Sequence, residues 1–549
     1  MSKPLIDMNG NPREQLSELL KRHGVDCLTC PKAGACEIQE LCARWQPKIK
    51  TLPVENENAD LGVLLERHPE RCVRCGRCAE FIRALGEESD ALPPSKPVAS
   101  LLSGTLIDVC PAAALTDKTQ KKLVRAWETM AVQSVDTTDC ALSPVKIETA
   151  EGEIVRVSPA SDMLVSDKAR FSFDGLRVNR LDRPYRRADG VLKECSWTEA
   201  LQAVAAKLTE VVPEKRAALI GKFADCESML ALRDLLAATA VDARAGTEYV
   251  DGCRQARLFN TPFARIGEAD ALLTIGVDLP SVLPAVDFLI RQNPMPRKEI
   301  TDLSALESET LFDAAKNPML VVGAGVANRS DAAAACDLIY RFCKQKNVIR
   351  DDWNGFNFAS DNTAFAGAAE LGLITETPLR PEIADGKFDF VYLLDDDSVS
   401  KADLGNAFVV YQGFYASRAA RAADVIFPGV APTEKHATYV DAQGIAKSTA
   451  PVLPPFGSAR EDWKILRALS EYAGTRPLPY DDLDAVRDAL AGESVIFYNR
   501  GEPAPAPDEA FGKQGVLSGD AVKTPELKPD EICKNSARMR ALRRERQGK

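Results

Sequence analysis

Leu16, Leu19, Leu20 and His23 follow the i, i+3, i+4, i+7 spacing of one helix face. The pattern predicts a short helix ended by Gly24, with the His23 imidazole on its apolar side and turned toward Cys27. Val145 to Glu148 and Glu153 to Val157 alternate as the two strands of a hairpin around Glu151 and Gly152. A different rhythm starts at Ser196. Ser196 and Glu199 form a capping box for a helix carrying Leu201, Val204, Ala205, Leu208 and Val212, closed by Pro213. A buried strand from Ala217 to Gly221 and a helix from about Ser228 to Ala240 come next. The same alternation recurs with strands at Ala271 to Val277, Leu320 to Gly323 and Val391 to Leu394. Strands alternating with helices predict a mostly parallel sheet covered on both faces over Trp197 to Gly474.

Several details qualify that pattern. Gly323, Ala324 and Gly325 after a strand invite a dinucleotide cradle, but Asn328 occupies the third glycine position, so a tight turn into a helix from Ser330 is expected. Asp395, Asp396 and Asp397 at a strand end read as a solvated loop rather than a metal site. Gly501 to Pro507 reads as a linker into a tail that ends in basic Arg538 to Arg546 and is expected to dock on a partner.

The 549 residues suit three or four domains, and the net charge of -11 argues against a nucleic-acid partner. No apolar stretch reaches bilayer length, so any link to a membrane is expected through partners. The start, Met1-Ser2-Lys3-Pro4, shows neither a secretory signal nor an organellar presequence pattern.

Cysteine usage changes the picture most. Of 15 cysteines, Cys27, Cys30, Cys36, Cys42, Cys72, Cys75, Cys78 and Cys110 crowd into the first fifth of the chain, and the other seven, scattered singly, are expected to be reduced core residues. His23, Cys27, Cys30 and Cys36 supply one imidazole and three thiolates, enough to close one 4Fe–4S cube. Cys72, Cys75 and Cys78 repeat the Cys-x2-Cys-x2-Cys turn that wraps three corners of a second, and the remote Cys110, followed by Pro111, delivers the fourth. Zinc is the rival, but three cysteines in one such run fit its tetrahedral plan poorly. Disulfides are a weaker rival still. Cys42 is expected to be a small buried hydrophobe, His68 a surface residue rather than a fifth ligand, and His436 has no neighbour to support catalysis.

With these residues in view the chain resembles the large iron–sulfur subunit of respiratory complex I. The likeness rests on His23-Gly-Val-Asp-Cys27-Leu-Thr-Cys30 with Gly34-Ala-Cys36-Glu37, on Arg71-Cys72-Val-Arg-Cys75-Gly-Arg-Cys78, and on Cys110-Pro111-Ala-Ala-Ala-Leu115-Thr116. Asp167-Lys168-Ala-Arg170-Phe171, Ala423-Asp424-Val-Ile-Phe-Pro428, Thr433-Glu434-Lys435 and Arg460-Glu461-Asp462-Trp463 are similar to that family's molybdopterin oxidoreductase-like domain. Pro477-Leu-Pro-Tyr480-Asp-Asp-Leu483 looks more like mitochondrial members than bacterial ones.

The resemblance implies an α/β chain: a small N-terminal helical and loop iron–sulfur region, then a large molybdopterin oxidoreductase-like scaffold with mostly parallel sheets. The expected division is 1–50 and 51–134 for the two 4Fe–4S regions, 135–195 for a β-rich segment, 196–495 for the scaffold and 496–549 for linker and tail. It also implies an electron relay with two 4Fe–4S clusters and no molybdopterin. Its expected partners are a flavin- and NADH-binding subunit and other peripheral-arm subunits. The matrix side of the mitochondrial inner membrane is the expected location, with the cytoplasmic face of a bacterial plasma membrane as the alternative. Only 22 residues precede His23, so no 2Fe–2S domain is expected on this chain, and a separate ferredoxin-like chain is expected to supply that cluster. Some members hold an extra cluster near Cys140; Ser143 and Ser166 stand where its cysteines would be. Two other readings stay open at this point: a catalytic molybdopterin enzyme of the formate dehydrogenase type, and a zinc-bearing assembly subunit.

Overall fold

The computed structural model describes every residue except 1–3, 25, 49–59, 121–122, 237–239, 245–248, 475–476, 499–500, 502–508 and 549. The expected linker falls mainly on 502–508 and so lies outside the described residues. The chain forms two compact units, one of Met1–Ser134, Ser143–Val178 and Ile532–Lys549, the other of Val135–Leu142 and Asn179–Glu531. No described helix is long and apolar enough to cross a membrane.

In the first unit, the helix expected to carry His23 ends early. Pro12–Leu19 is α-helical, and Leu20–Arg22 tightens into a single 3-10 turn. His23 follows in extended conformation, still buried but off the helix. Leu16 and Leu20 pack with Ile38, Val73 and Ala112, so one apolar core spans the segments that carry both cysteine sets. The expected hairpin is present as Pro144–Ala150 paired with Glu153–Pro159, and Glu151 and Gly152 both take the positive φ that a tight hairpin turn requires.

The basic tail folds back on its own unit. Ser536 caps the helix Ala537–Arg546, Asp174 accepts from the Ala537 N–H at 2.9 Å, the Arg538 guanidinium lies 4.4 Å from the centre of the Phe173 ring, and Arg546 donates to the Ser100 carbonyl at 2.8 Å. A helix with so many arginines buries only Met539 and Leu542.

The second unit holds the α/β pattern. Its larger sheet runs in the order Val191–Glu194, Tyr185–Ala188, Val425–Pro428, Phe408–Gly413, Phe390–Leu394, Arg216–Ile220, Ala240–Asp242. The last five strands are parallel and the first two form an antiparallel edge hairpin. The smaller sheet, Arg297–Ile300, Ala271–Ile275, Pro318–Val322 and Phe356–Phe358, is wholly parallel. Central strands such as Phe390–Leu394 are buried at every position, as a sheet covered on both faces demands. The Ser196–Glu199 capping box starts the helix Trp197–Glu210. The next helix spans Cys226–Leu236 among the described residues, and Ala240–Asp242 belongs to a strand rather than to that helix.

The Gly323 to Gly325 turn serves packing. A side chain on Gly325 would meet the Lys523 carbonyl oxygen at 2.5 Å and the Gly276 backbone at 2.7 Å, so these glycines let three backbone segments cross. The helices that follow are Ala324–Ala327 and Ala332–Gln345, rather than one from Ser330.

Asp395 to Asp397 are not a solvated loop. Asp395 and Asp396 are buried, and Asp395 adopts φ 52° at the end of its strand. Burial pushes the Asp397 carboxyl from its ordinary 3.8 up to about 7, against the pull of the Tyr411 hydroxyl, which donates to it at 2.6 Å. A raised carboxyl binds its proton more tightly when folded, so its stabilising contribution is complete below 3.8 and is lost as pH rises toward about 7. Asp397→Asn should therefore flatten that decline, which chemical denaturation of the full chain across this pH window would measure.

Candidate metal centres

Both cysteine sets lie in the first unit. The second set is assembled by a short antiparallel ladder in which Leu65–Arg67 pairs with Leu115–Asp117, Arg67 opposite Leu115. Cys72 lies five residues beyond Arg67 and Cys110 five before Leu115, so the ladder sets the remote cysteine beside the tight turn. The His68 N–H donates to the Ala114 carbonyl at 2.8 Å and extends the pairing. Arg74 and Gly76, both at positive φ, wind the turn around, and Cys78 then enters the first turn of the helix Arg77–Ala84. Cys110 ends the helix Thr105–Val109.

The four thiols feel one another: Cys110 acts on Cys72, Cys75 and Cys78. Burial above all, then these neighbours, pushes Cys72 up to about 11 and Cys78 to about 12. Two backbone N–H groups already point at sulfur, Arg74 N–H at Cys72 Sγ (3.3 Å) and Ala114 N–H at Cys110 Sγ (3.2 Å). Ala113 at φ 52° turns the chain so that the second can form. Such donors favour thiolate, the form that ligates iron. The donor set thus fits an iron–sulfur cluster.

The first set is held by the residues just ahead of the second. His23 Nδ1 lies 2.8 Å from the Arg71 carbonyl oxygen, which can only accept, so Nδ1 carries the proton and Nε2 keeps the lone pair a metal would take. The Gly24 N–H donates to the Glu70 carbonyl at 2.7 Å, and the buried Arg71 guanidinium reaches back to Asp26 at 2.5 and 2.9 Å. Cys30 and Cys36 interact, and burial raises the Cys30 thiol while the Lys32 N–H and the Arg71 charge oppose it.

Other residues tie the sets together. Lys32 donates to the carbonyls of Ile107 and Cys110, Cys36 Sγ lies 3.7 Å from the Pro111 carbonyl, and Arg77 forms a two-pronged pair with Glu37 at 2.6 and 3.0 Å. Sequence reasoning missed these braces. The only signal was charged residues interleaved with the cysteines, which spacing alone does not assign.

Two expectations change. Cys42 is half-buried, and its thiol feels Cys36 and Cys27, because the helix Glu37–Trp45 returns it to the first set. His68 is half-buried rather than a surface residue, with Nε2 3.1 Å from Thr116 Oγ1 and Glu66 and Glu70 on either side. All 15 cysteines are free, and five of the seven scattered ones are buried. Among the described residues, no three His, Cys, Asp or Glu side chains converge where a single metal ion could sit.

The large sheet poses a second question, whether its strand ends suit a pterin-held metal. Lys435 Nζ lies 2.6 Å from Asp225 and 2.9 Å from Asp462, all buried, and Gln412 donates to Asp462 at 3.0 Å. Asp225 also caps the next helix through the Ser228 N–H and hydroxyl, at 2.8 and 2.7 Å. The thiol beside it, Cys226, is fully buried against Gly367 and pushed well up by burial. The cation and carboxylates are committed to one another and the thiol to the core, so these residues do not fit such a group.

Comparison with known proteins finds two family matches and several relatives. The molybdopterin oxidoreductase family matches residues 180–301 and 306–472, more than half of the chain. The iron–sulfur binding region of NADH-ubiquinone oxidoreductase-G matches residues 13–48, which include His23, Cys27, Cys30 and Cys36. The chain is 34% identical over 532 residues to a mitochondrial NADH dehydrogenase [ubiquinone] iron-sulfur protein 1 of Solanum tuberosum, covering 87% of this chain and 71% of that one. It is 32% identical over 540 residues to a mitochondrial NADH-ubiquinone oxidoreductase 78 kDa subunit of Neurospora crassa (87% and 72% covered). It is 29% identical over 581 residues to the corresponding NADH-quinone oxidoreductase polypeptide of Rickettsia conorii (96% and 86% covered).

Proposed function

The chain belongs to the family of the large iron–sulfur subunit of NADH-quinone oxidoreductase, complex I, and from that premise we propose that it relays electrons from a flavin- and NADH-binding partner toward a quinone-reducing one. We assign His23, Cys27, Cys30 and Cys36 to one 4Fe–4S cluster and Cys72, Cys75, Cys78 and Cys110 to a second. Such clusters supply one-electron transfer at potentials set by charge, hydrogen bonds to sulfur and solvent exposure. The single observation behind the reading is that Arg71, Lys32 and Arg77 brace the two donor sets in one unit. The chain's own contribution is position and tuning: backbone N–H groups on sulfur, a fixed imidazole tautomer and apolar packing that excludes water. The scaffold of parallel sheets carries no chemistry in this reading, and the five-part division of the chain stays a proposal with it.

Leu28, Trp127 and Met130 are large apolar residues left 83%, 62% and 75% exposed in the same unit. Leu28 lies between Cys27 and Cys30, its carbonyl accepts from Arg125, and the Trp127 ring sits over Gly34 in the same loop. Exposed aromatic, Met and Leu side chains beside Arg mark partner surfaces, so we assign this face to contact with another subunit of the complex. We assign the chain to the periphery of the membrane, matrix side in a mitochondrion or cytoplasmic side in a bacterium.

The deciding measurement is metal content and EPR of the anaerobically purified complex: about eight irons on this chain, in two four-iron signals, support the relay. Zinc without iron, or bound molybdenum, would overturn it. His23 gives a second test. A neutral imidazole in place of a thiolate makes its site less negative and raises the potential, so His23→Cys should keep the cluster and lower that potential. A redox titration with an unchanged or higher value would remove His23 from the ligand set.

A further inference from the structure

The helix Ala537–Arg546 turns one side to its own unit and the other to solvent. Met539 and Leu542 are buried, and Arg546, on the same side, donates to the Ser100 carbonyl at 2.8 Å. Arg540, Arg543 and Arg544 follow i, i+3, i+4 on the opposite side, and all three are exposed. Lys534, also exposed, precedes the helix at that end, where Arg540 donates to its carbonyl at 2.8 Å and to that of Asn535 at 3.1 Å. The outer side is therefore basic in a chain of net charge -11.

The carboxylates near this helix are turned elsewhere. Asp174 is taken up at the helix start, where it accepts from the Ser536 hydroxyl and from the N–H groups of Ala537 and Arg538 at 2.9 and 3.4 Å. Glu545, the one acid within the helix, lies against Gly62 and accepts from the Val63 N–H at 3.4 Å. Arg544 makes no hydrogen bond or ion pair among the described residues. Like charges three and four residues apart on a helix repel one another, so this side is stabilised when an outside anion lies over it.

The donor chemistry narrows what that anion is. A guanidinium presents paired N–H donors that match a carboxylate, and neighbours at these spacings stand about 5–6 Å apart, so a segment with two or more carboxylates meets several of them at once. A lipid surface fits less well, because an interfacial helix needs its apolar side free to enter the headgroups. Here Met539 and Leu542 face inward, and none of the large exposed apolar residues falls among the described residues of 517–548.

We propose that the Arg540, Arg543 and Arg544 side of this helix is a docking surface for an acidic segment of another subunit of the complex. The inner contacts hold the helix before the partner arrives, so the arginines are presented at fixed spacing and docking does not have to order the tail. Such docking requires that the chain be one subunit of the complex, but not that the eight proposed donors hold iron.

Arginine-selective labelling with phenylglyoxal, read residue by residue by mass spectrometry, compares the intact complex with the isolated full chain. Arg540, Arg543 and Arg544 are expected to react several-fold more slowly in the complex. With Arg540→Glu, Arg543→Glu and Arg544→Glu combined, the chain is expected to leave the complex at several-fold lower salt, whereas the three lysine substitutions, which keep the charge, should hold it to near the native concentration. Labelling of the native complex decides the matter even where the glutamate variant fails to assemble, and iron content measured on the same samples reports on the relay independently. Equal labelling in complex and isolated chain would overturn the proposal. So would release of the glutamate variant at the native salt concentration, since protection would then come from burial without charge pairing. Arginines left unprotected in the detergent-solubilised complex, with the isolated chain cosedimenting on phosphatidylserine vesicles, would give this side to the membrane instead. Protection that arises in the isolated chain as its concentration rises would give it to a second copy.

Discussion

Cys110→Ala is expected to remove about half of the iron from this chain, or to leave a three-iron form in the second site, while the signal of the first site persists. The selectivity follows from what the substitution leaves in place. Lys32, which braces the first set, donates to the Cys110 carbonyl, and that carbonyl is retained in alanine. The Leu65–Arg67 and Leu115–Asp117 ladder uses backbone groups only. His23 is held by the Arg71 carbonyl, on the far side of the Cys72 turn. What is lost is one thiolate corner and the sulfur that the Ala114 N–H addresses at 3.2 Å. Cys110→Ser keeps an oxygen ligand and should retain more iron than Cys110→Ala. An unaltered pair of four-iron signals in the alanine variant would show that Cys110 is not a ligand.

Spacing makes the eight proposed donors legible because the ligands of an iron–sulfur site are short-range in sequence except for one, and a Cys-Pro pair marks that one. Periodicity makes the parallel sheets legible for a similar reason: a strand buried on both faces, such as Phe390–Leu394, has to be apolar throughout. What spacing and periodicity cannot encode is pairing across distance. Nothing near Asp26 in sequence shows that Arg71 will neutralise it, or that Arg77 will meet Glu37. The tail's own contacts are hidden on the same ground. Its sequence does not show that Asp174 accepts from the backbone at the start of the helix, or that Arg538 and Arg546 meet Phe173 and the Ser100 carbonyl. The His23 helix departs from expectation for a local reason: its apolar spacing continues past Leu19, but the His23 ring needs the Arg71 carbonyl, and the backbone leaves the helix to reach it. The aspartates at 395–397 look solvated in sequence because three adjacent carboxylates usually are. Here a lysine far along the chain gives two of their neighbours a counter-charge.

Lys435 is therefore the residue of the large unit whose loss should matter most. Lys435→Met is expected to destabilise the fold by about 3–5 kcal/mol, the usual consequence of removing one partner from a buried ion pair. Its ammonium lies between Asp225 and Asp462, with Asp395 also in its field, and none of these side chains reaches solvent. Burial and mutual repulsion already raise the Asp395 and Asp462 carboxyls, and Lys435 is the main influence that lowers them. Without it, the carboxyls take up protons more readily in the folded state than in the unfolded one. The deficit should then be smallest in acid, where they are neutral, and should grow as pH rises past the ordinary carboxylate range. Asp462→Asn added to Lys435→Met removes one stranded charge and should recover part of the loss, since the Asn carbonyl can still accept from Gln412. Urea denaturation of the full chain at acid and neutral pH measures both effects. A single variant as stable as the native chain at neutral pH would mean that the buried triad is not what holds the strand ends together.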